Sequence, residues 1–241
     1  MKVAIIQPNY IPWKGYFDII NMVDIFVIYD DVQYTLRDWR NRNKIKTKSG
    51  LQWLTIPNDG TQKQLIRDVK IVWNDRWNVK HWKSIFFNYS KAQYFKEYKD
   101  YFEELYLNLK EQYLLEADLK FIEAIAKIFG IKTKIICSSD LNYDRTLHKT
   151  ERLIAILKEL KATSYLSGPS AKSYIDESLF KKENIELKWM DYSGYPEYPQ
   201  LYPPFIHEVS IIDLILNTGP NAPDYMKSFK IGERNDLQNS L

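Results

Sequence analysis

Cysteine is nearly absent from this chain. Cys137 is the single one in 241 residues, which excludes an internal disulfide and every cysteine-rich zinc arrangement. Histidine is almost as scarce: His81, His148 and His207 stand far apart and lack HExxH spacing, so no bound metal is expected. No apolar run approaches the roughly 18 residues that a membrane span needs. The first residues, MKVAIIQP, read as a strand rather than a signal peptide, and the expected location is the cytoplasm. An excess of one charge is missing too. Lysines and arginines number 34 against 31 carboxylates, for a net charge of +3, and they look scattered rather than gathered into the basic patch of a nucleic-acid binder. Glycine and proline are few, at 8 and 10, yet PNYIPWKGY at residues 8–16 places two prolines and a glycine in one short loop. That concentration asks for a reason.

Aromatics are plentiful. They make up 15% of the chain, with 18 tyrosines and 7 tryptophans, and such side chains suit a pocket for a ring-bearing ligand as well as a core. KVAII (2–6) and IFVIY (25–29) are short β-branched runs separated by the helical stretch GYFDIINMVD, which predicts a β-α-β unit with parallel strands buried on both faces. A polar, interrupted region follows, then a β-hairpin around Lys48-Ser49-Gly50, with a further strand expected within 61–74. From about 77 to 129, apolar and aromatic residues recur at three- and four-residue spacings, predicting three helices closed by Gly130. Strand and helix then alternate to a final apolar helix around SIIDLILNTGP. The pattern predicts an α/β fold: a mainly parallel, Rossmann-like sheet flanked by helices, with a helical insertion. A single domain over 1–230 and a frayed tail over 231–241 are expected.

In open parallel sheets, ligands bind beyond the carboxyl ends of the strands. The loop after the first strand supplies Gln7, Tyr10, Pro12, Trp13, Lys14 and Gly15. The segment after the second, DDVQYTLRDWRNRN, carries three arginines and three carboxylates in fourteen residues. Arginine forks match phosphates bidentately, so Arg40 and Arg42 are candidate anion ligands. Asp30, Gln33, Trp39, Asn41 and Asn43 are further binding candidates, and Asp31 is a candidate base. The same cluster would also serve as a salt-bridged loop. Ser167 and Gly168, in SYLSGPSAKSYID, sit between a strand and a helix, where backbone N–H groups can face an anion or a serine can cap a helix. His207 and His148 are the natural histidine bases. His81 belongs to an aromatic helix face and reads as core, and Cys137 reads as a small buried hydrophobe.

Together, IIQPNYIPWKGYFDII, DIFVIYDDVQYTLRDWRNRN, YLSGPSAKSYID and SIIDLILNTGP resemble the WbqC-like protein family, in order from residue 3 to about 220. The resemblance implies a setting in O-antigen and other surface-polysaccharide biosynthesis. Joined to the phosphate-like site, it suggests a transferase that passes an acyl or aminoacyl group to a nucleotide-linked amino sugar. Asp31 or His207 would then serve as base, and an acyl thioester or other activated acyl group as donor. The expected partner is a nucleotide sugar or another phosphate-bearing small molecule. The opening loop is also similar to the strand-loop-helix of nucleotidylyltransferases. Trp13 and Tyr16, however, stand where that pattern has histidines, which speaks against nucleotidyl transfer. A sugar-phosphate nucleotidyltransferase and a non-catalytic nucleotide-sugar binder are the alternatives.

Overall fold

The structure, a computed structural model, describes residues 1–229. In chain order the elements are β1 (Lys2–Ile6), α1 (Lys14–Asn21), β2 (Ile25–Ile28), β3 (Arg42–Thr47), β4 (Gly50–Thr55), α2 (Trp77–Tyr89), α3 (Phe95–Leu107) and α4 (Leu114–Ile128). Then follow β5 (Lys134–Cys137), α5 (Lys149–Glu159), β6 (Ser164–Ser167), α6 (Glu177–Lys182), β7 (Glu186–Trp189) and α7 (Ile211–Thr218). Five strands form one parallel sheet in the order β5-β2-β1-β6-β7. β3 and β4 pair separately as an antiparallel ribbon.

The apolar runs of β1 and β2 are explained by helices on both faces of the sheet. Ala4, Phe26 and Ile28 point into one core with Phe17 of α1 and Ile122 of α4. Val3, Ile5 and Val27 point into the other, with Leu153 and Leu157 of α5. A strand covered on both sides has no solvent face to fill with polar residues.

The helical insertion α2–α4 adds aromatic weight to the first core. Trp82 stacks on Phe95 at 6.3 Å between centroids, and Tyr106 meets Phe121 at 4.8 Å. Gly130 ends the insertion in the left-handed region, with φ 62°, a conformation that glycine adopts without penalty.

The strand expected within 61–74 does not form. Its apolar residues Ile66 and Val69 are both fully buried and three apart, the spacing of a turn rather than of an alternating strand. The chain accordingly makes a short 3₁₀ turn at Ile66–Asp68 and only isolated bridges, such as Asn58 with Ile71. The tail expected to be frayed at 231–241 lies outside the described residues.

Strand order locates the ligand edge. From β1 the chain builds outward through β2 to β5, then crosses back to lay β6 on the opposite side of β1. The crossover connections leave β1 and β6 in opposite directions, which opens a crevice at their carboxyl ends.

Candidate functional site

The PNYIPWKGY loop is shaped around Trp13. A Cβ on Gly15 would lie 2.4 Å from the Trp13 ring, so only glycine lets the indole fold back over the first turn of α1. There Trp13 meets Tyr192 edge-on at 4.9 Å. Asn43 on β3 pins the loop by donating to the carbonyls of Tyr10 (3.1 Å) and Ile11 (3.0 Å). Ile11 has φ 37°, a costly conformation for a β-branched residue, and these two bonds help hold it.

Beyond this loop, a cleft of about 620 Å³ occupies the β1/β6 crevice, within the size range of small-molecule sites. Gln7, Trp13, Trp39 and Tyr192 line one part, and Ser167, Gly168 and Ser170 form the turn after β6. Arg40 and Lys149 supply positive charge. Arg40 donates to the Asn9 side chain, to the Pro8 carbonyl at 3.4 Å and to Asp38 at 3.2 Å. Near Arg40, Asp118 of α4 is fully buried and both its oxygens lack partners. Burial pushes its carboxyl well above the usual range, against the opposing pull of Arg40.

A second cavity of about 210 Å³ adjoins the first. The two share Asn9, Trp13 and Trp39, and the smaller adds Pro12, Asn43 and Glu208. Two compartments with a common wall can hold two reactants side by side.

Several residues singled out from the sequence sit elsewhere. Tyr10 is fully buried, and its hydroxyl meets those of Tyr106 at 2.8 Å and His81 Nδ1 at 2.9 Å, so it offers a ligand no face. Lys14 is enclosed by the rings of Tyr195 (4.8 Å) and Tyr198 (5.2 Å). Burial lowers its ammonium to about 8 against the opposing effects of Asp18 and Asp213. Gln33 sits in an isolated bridge with Leu65. Asn41 donates to the Ile56 carbonyl at 3.0 Å. Arg42 lies 4.2 Å over the Trp53 ring and donates to the Arg37 carbonyl, and it does not line the cleft.

The two carboxylates after β2 are spoken for. Asp30 accepts from Ser139 N (3.0 Å) and Oγ (2.6 Å), and the Ser138 hydroxyl lies 2.6 Å from Asp31. Asp31 also accepts from Tyr143 (2.6 Å), Arg145 (3.1 Å) and Arg152 (3.1 Å). Burial pushes its carboxyl up, but the Ser138 and Tyr143 hydroxyls with Arg152 and Arg145 outweigh it and hold it below the usual range. A carboxylate so stabilised and so fully bonded is a poor base.

His207 packs edge-on against Phe205 at 4.6 Å, its buried Nδ1 without a partner. Burial, then Lys14, lowers its pKa. It lines neither cavity, although Glu208 beside it does. His148 precedes α5 with no side-chain cap bond. Burial pushes the Cys137 thiol up to about 12, which removes it as a nucleophile at neutral pH. Among the described residues, no group of three or more His, Cys, Asp or Glu could hold a metal ion, and no helix is long and apolar enough to cross a membrane.

Sequence reasoning missed Lys149, Tyr192 and Glu208. The first starts α5, the second follows β7 and the third precedes α7. All three follow the rule that sites gather at strand ends and helix starts, but only the strand order says which ends converge.

Comparison with known proteins identifies the family. The WbqC-like protein family model matches residues 7–225. The uncharacterized protein Rv1507c of Mycobacterium tuberculosis (strain ATCC 25618 / H37Rv) is 47% identical over 228 residues, covering 94% of this chain and 97% of that protein. No solved structure matches. With most of its length matched by the family model and nearly all of it by a relative, the chain belongs to the WbqC-like protein family.

Proposed function

We propose that the protein is a transferase of surface-polysaccharide biosynthesis that binds a nucleotide-linked amino sugar in the β1/β6 cleft and acylates its amine. The observation that carries this reading is the lining of the cleft: aromatic faces and two cations beside a turn of small residues, joined to a second cavity by a shared wall. Trp13, Trp39 and Tyr192 would stack on base or sugar. Arg40 and Lys149 would meet the diphosphate, with the Gly168–Ser170 backbone close by.

The smaller cavity would receive the activated acyl group, for which a thioester is the natural chemical class. Glu208 is the carboxylate that lines it, and it replaces Asp31 and His207 as the proposed base. In the transfer, the sugar nitrogen attacks the acyl carbon, an N–C bond forms and the C–S bond breaks. Glu208 takes the proton from nitrogen, and the thiolate leaves.

Nucleotidyl transfer has less support. Tyr16, at one of the positions of the absent histidines, is buried and donates to the Gln7 carbonyl at 3.1 Å. The experiment is a Glu208→Gln variant assayed with a nucleotide-linked amino sugar and an acyl thioester. Retained sugar binding with at least a roughly hundredfold loss of transfer is expected of a general base. Binding without transfer by the unaltered protein, whatever the thioester, would make it a non-catalytic binder.

A further inference from the structure

The β3–β4 ribbon stands outside the parallel sheet, and its two faces differ. Ile45 and Leu54 point into the core. On the opposite face the register sets Arg42 beside Thr55, Lys44 beside Trp53 and Lys46 beside Leu51. Trp53 is 41% exposed and Leu51 40%, Trp39 (39%) continues this face, and Leu36 in the preceding turn is 50% exposed. Trp39 and Trp53 lie 5.5 Å apart. The Lys44 ammonium sits 5.0 Å over one ring and 5.7 Å over the other.

The charge here is as uneven as the polarity. Residues 35–55 contain six lysines and arginines and one carboxylate, Asp38, in a chain whose net charge is +3. The rest of the molecule is therefore net negative, and the even scatter that the composition suggests is not what the fold delivers. Asp38 is occupied by Arg40, and Arg40 and Lys46 are buried. Arg37, Arg42, Lys44 and Lys48 remain to face a partner.

We propose that this face docks on an anionic lipid bilayer. Indole rings settle at the headgroup level of membranes, and exposed leucines beside them add apolar surface that enters the acyl boundary. Lysine and arginine side chains around such a patch are drawn to acidic headgroups. A nucleic acid would use the cations and the rings but has no use for Leu36 and Leu51, so the bilayer accounts for more of the face. Trp39 also lines both cavities, so a docked membrane would lie beside their mouths. This inference does not depend on the reaction proposed above.

The test is co-sedimentation of the full chain with vesicles of phosphatidylcholine alone and of phosphatidylcholine mixed with phosphatidylglycerol. Binding to the mixed vesicles at least about tenfold tighter than to the neutral ones is expected, weakening as salt is raised, with a blue shift of tryptophan emission. Leu51→Ser with Trp53→Ser should reduce that binding about tenfold or more. Lys48→Glu, at the exposed hairpin turn, should reduce it several-fold with no effect on melting temperature, and it keeps the test decisive if the double variant misfolds. Failure to bind the anionic vesicles, equal binding to both kinds, or binding to an oligonucleotide but to neither vesicle would overturn the proposal. So would full binding by Lys48→Glu.

Discussion

Two neighbouring strands of one sheet end in opposite ways. Beyond β2, Asp30 and Asp31 are enclosed by Ser138, Ser139, Tyr143, Arg145 and Arg152, and each carboxylate is saturated with hydrogen bonds from within the chain. Beyond β1, the walls stand open around a cleft of about 620 Å³. Both edges are rich in polar groups, so composition does not distinguish them. Topology does: β2 lies between β1 and β5, with the connections running onward in the same direction, whereas the connections diverge between β1 and β6. A charged cluster after a strand becomes a site only where the backbone leaves room for a ligand.

The largest effect should come from the closed edge. Asp31→Ala would strand Arg152, whose side chain is only 13% exposed, with its carboxylate partner gone. Breaking a buried pair in this way costs about 3–5 kcal/mol of stability, to be read from urea or thermal unfolding. Arg145, 41% exposed, adds little to that figure because water screens it. The same carboxylate sets an acid limit. Its folded pKa is depressed, so its contribution is complete above the unfolded value of about 3.9 and vanishes as pH falls through the folded value. Asp31→Asn should flatten the acid limb of the stability curve. An unchanged limb would mean that the network is not the anchor described.

The open edge should lose ligand, and Arg40, paired with Asp38 and 11% exposed, should also cost some stability when removed. Arg40→Ala removes a guanidinium from the cleft and should weaken binding of a nucleotide-linked sugar by about 1.5–3 kcal/mol, or roughly ten- to a hundredfold. Arg42→Ala removes the same charge two residues away and should change that affinity less than about twofold, since surface substitutions away from a site act weakly. Equal losses from the two would erase the distinction between them. A smaller change is expected from Gly15→Ala. The new methyl forces the Trp13 ring off the helix turn and should cost several-fold in affinity with the fold retained, as seen by circular dichroism. The smallest effect concerns Lys14. Its folded pKa of about 8 lies below that of a free lysine, near 10.4, so the unfolded chain binds more protons between these values and stability should rise with pH across that window. Lys14→Met should abolish that slope.

Much of the fold was legible because burial on two faces writes itself as continuous apolar runs, as in KVAII and IFVI, and because the insertion repeats its aromatics at helical spacing. The missing strand within 61–74 was not legible, since Ile66 and Val69 differ from a strand pair only by one residue of spacing. In the site, the loop after β1 was recognisable from its prolines and glycine, but the work of that glycine was not. Gly15 makes room for a tryptophan ring. The arginine cluster was read as one unit, yet Arg40 lies in the turn before β3 and reaches inward, whereas Arg42 has entered the strand and lies on its outer face. Lys149 and Glu208 lie more than a hundred residues along the chain from the loop after β1, and no local pattern records such convergence.

In the function proposed above, the β1/β6 edge holds a nucleotide-linked sugar. Calorimetric titration of the purified protein with dTDP- and UDP-linked amino sugars tests it most directly, with Arg40→Ala and Arg42→Ala titrated alongside. Saturable one-to-one binding of at least one of these compounds is expected, weakened about tenfold or more by Arg40→Ala and left in place by Arg42→Ala. No heat of binding from any of them at millimolar concentration, or binding indifferent to Arg40, would contradict it.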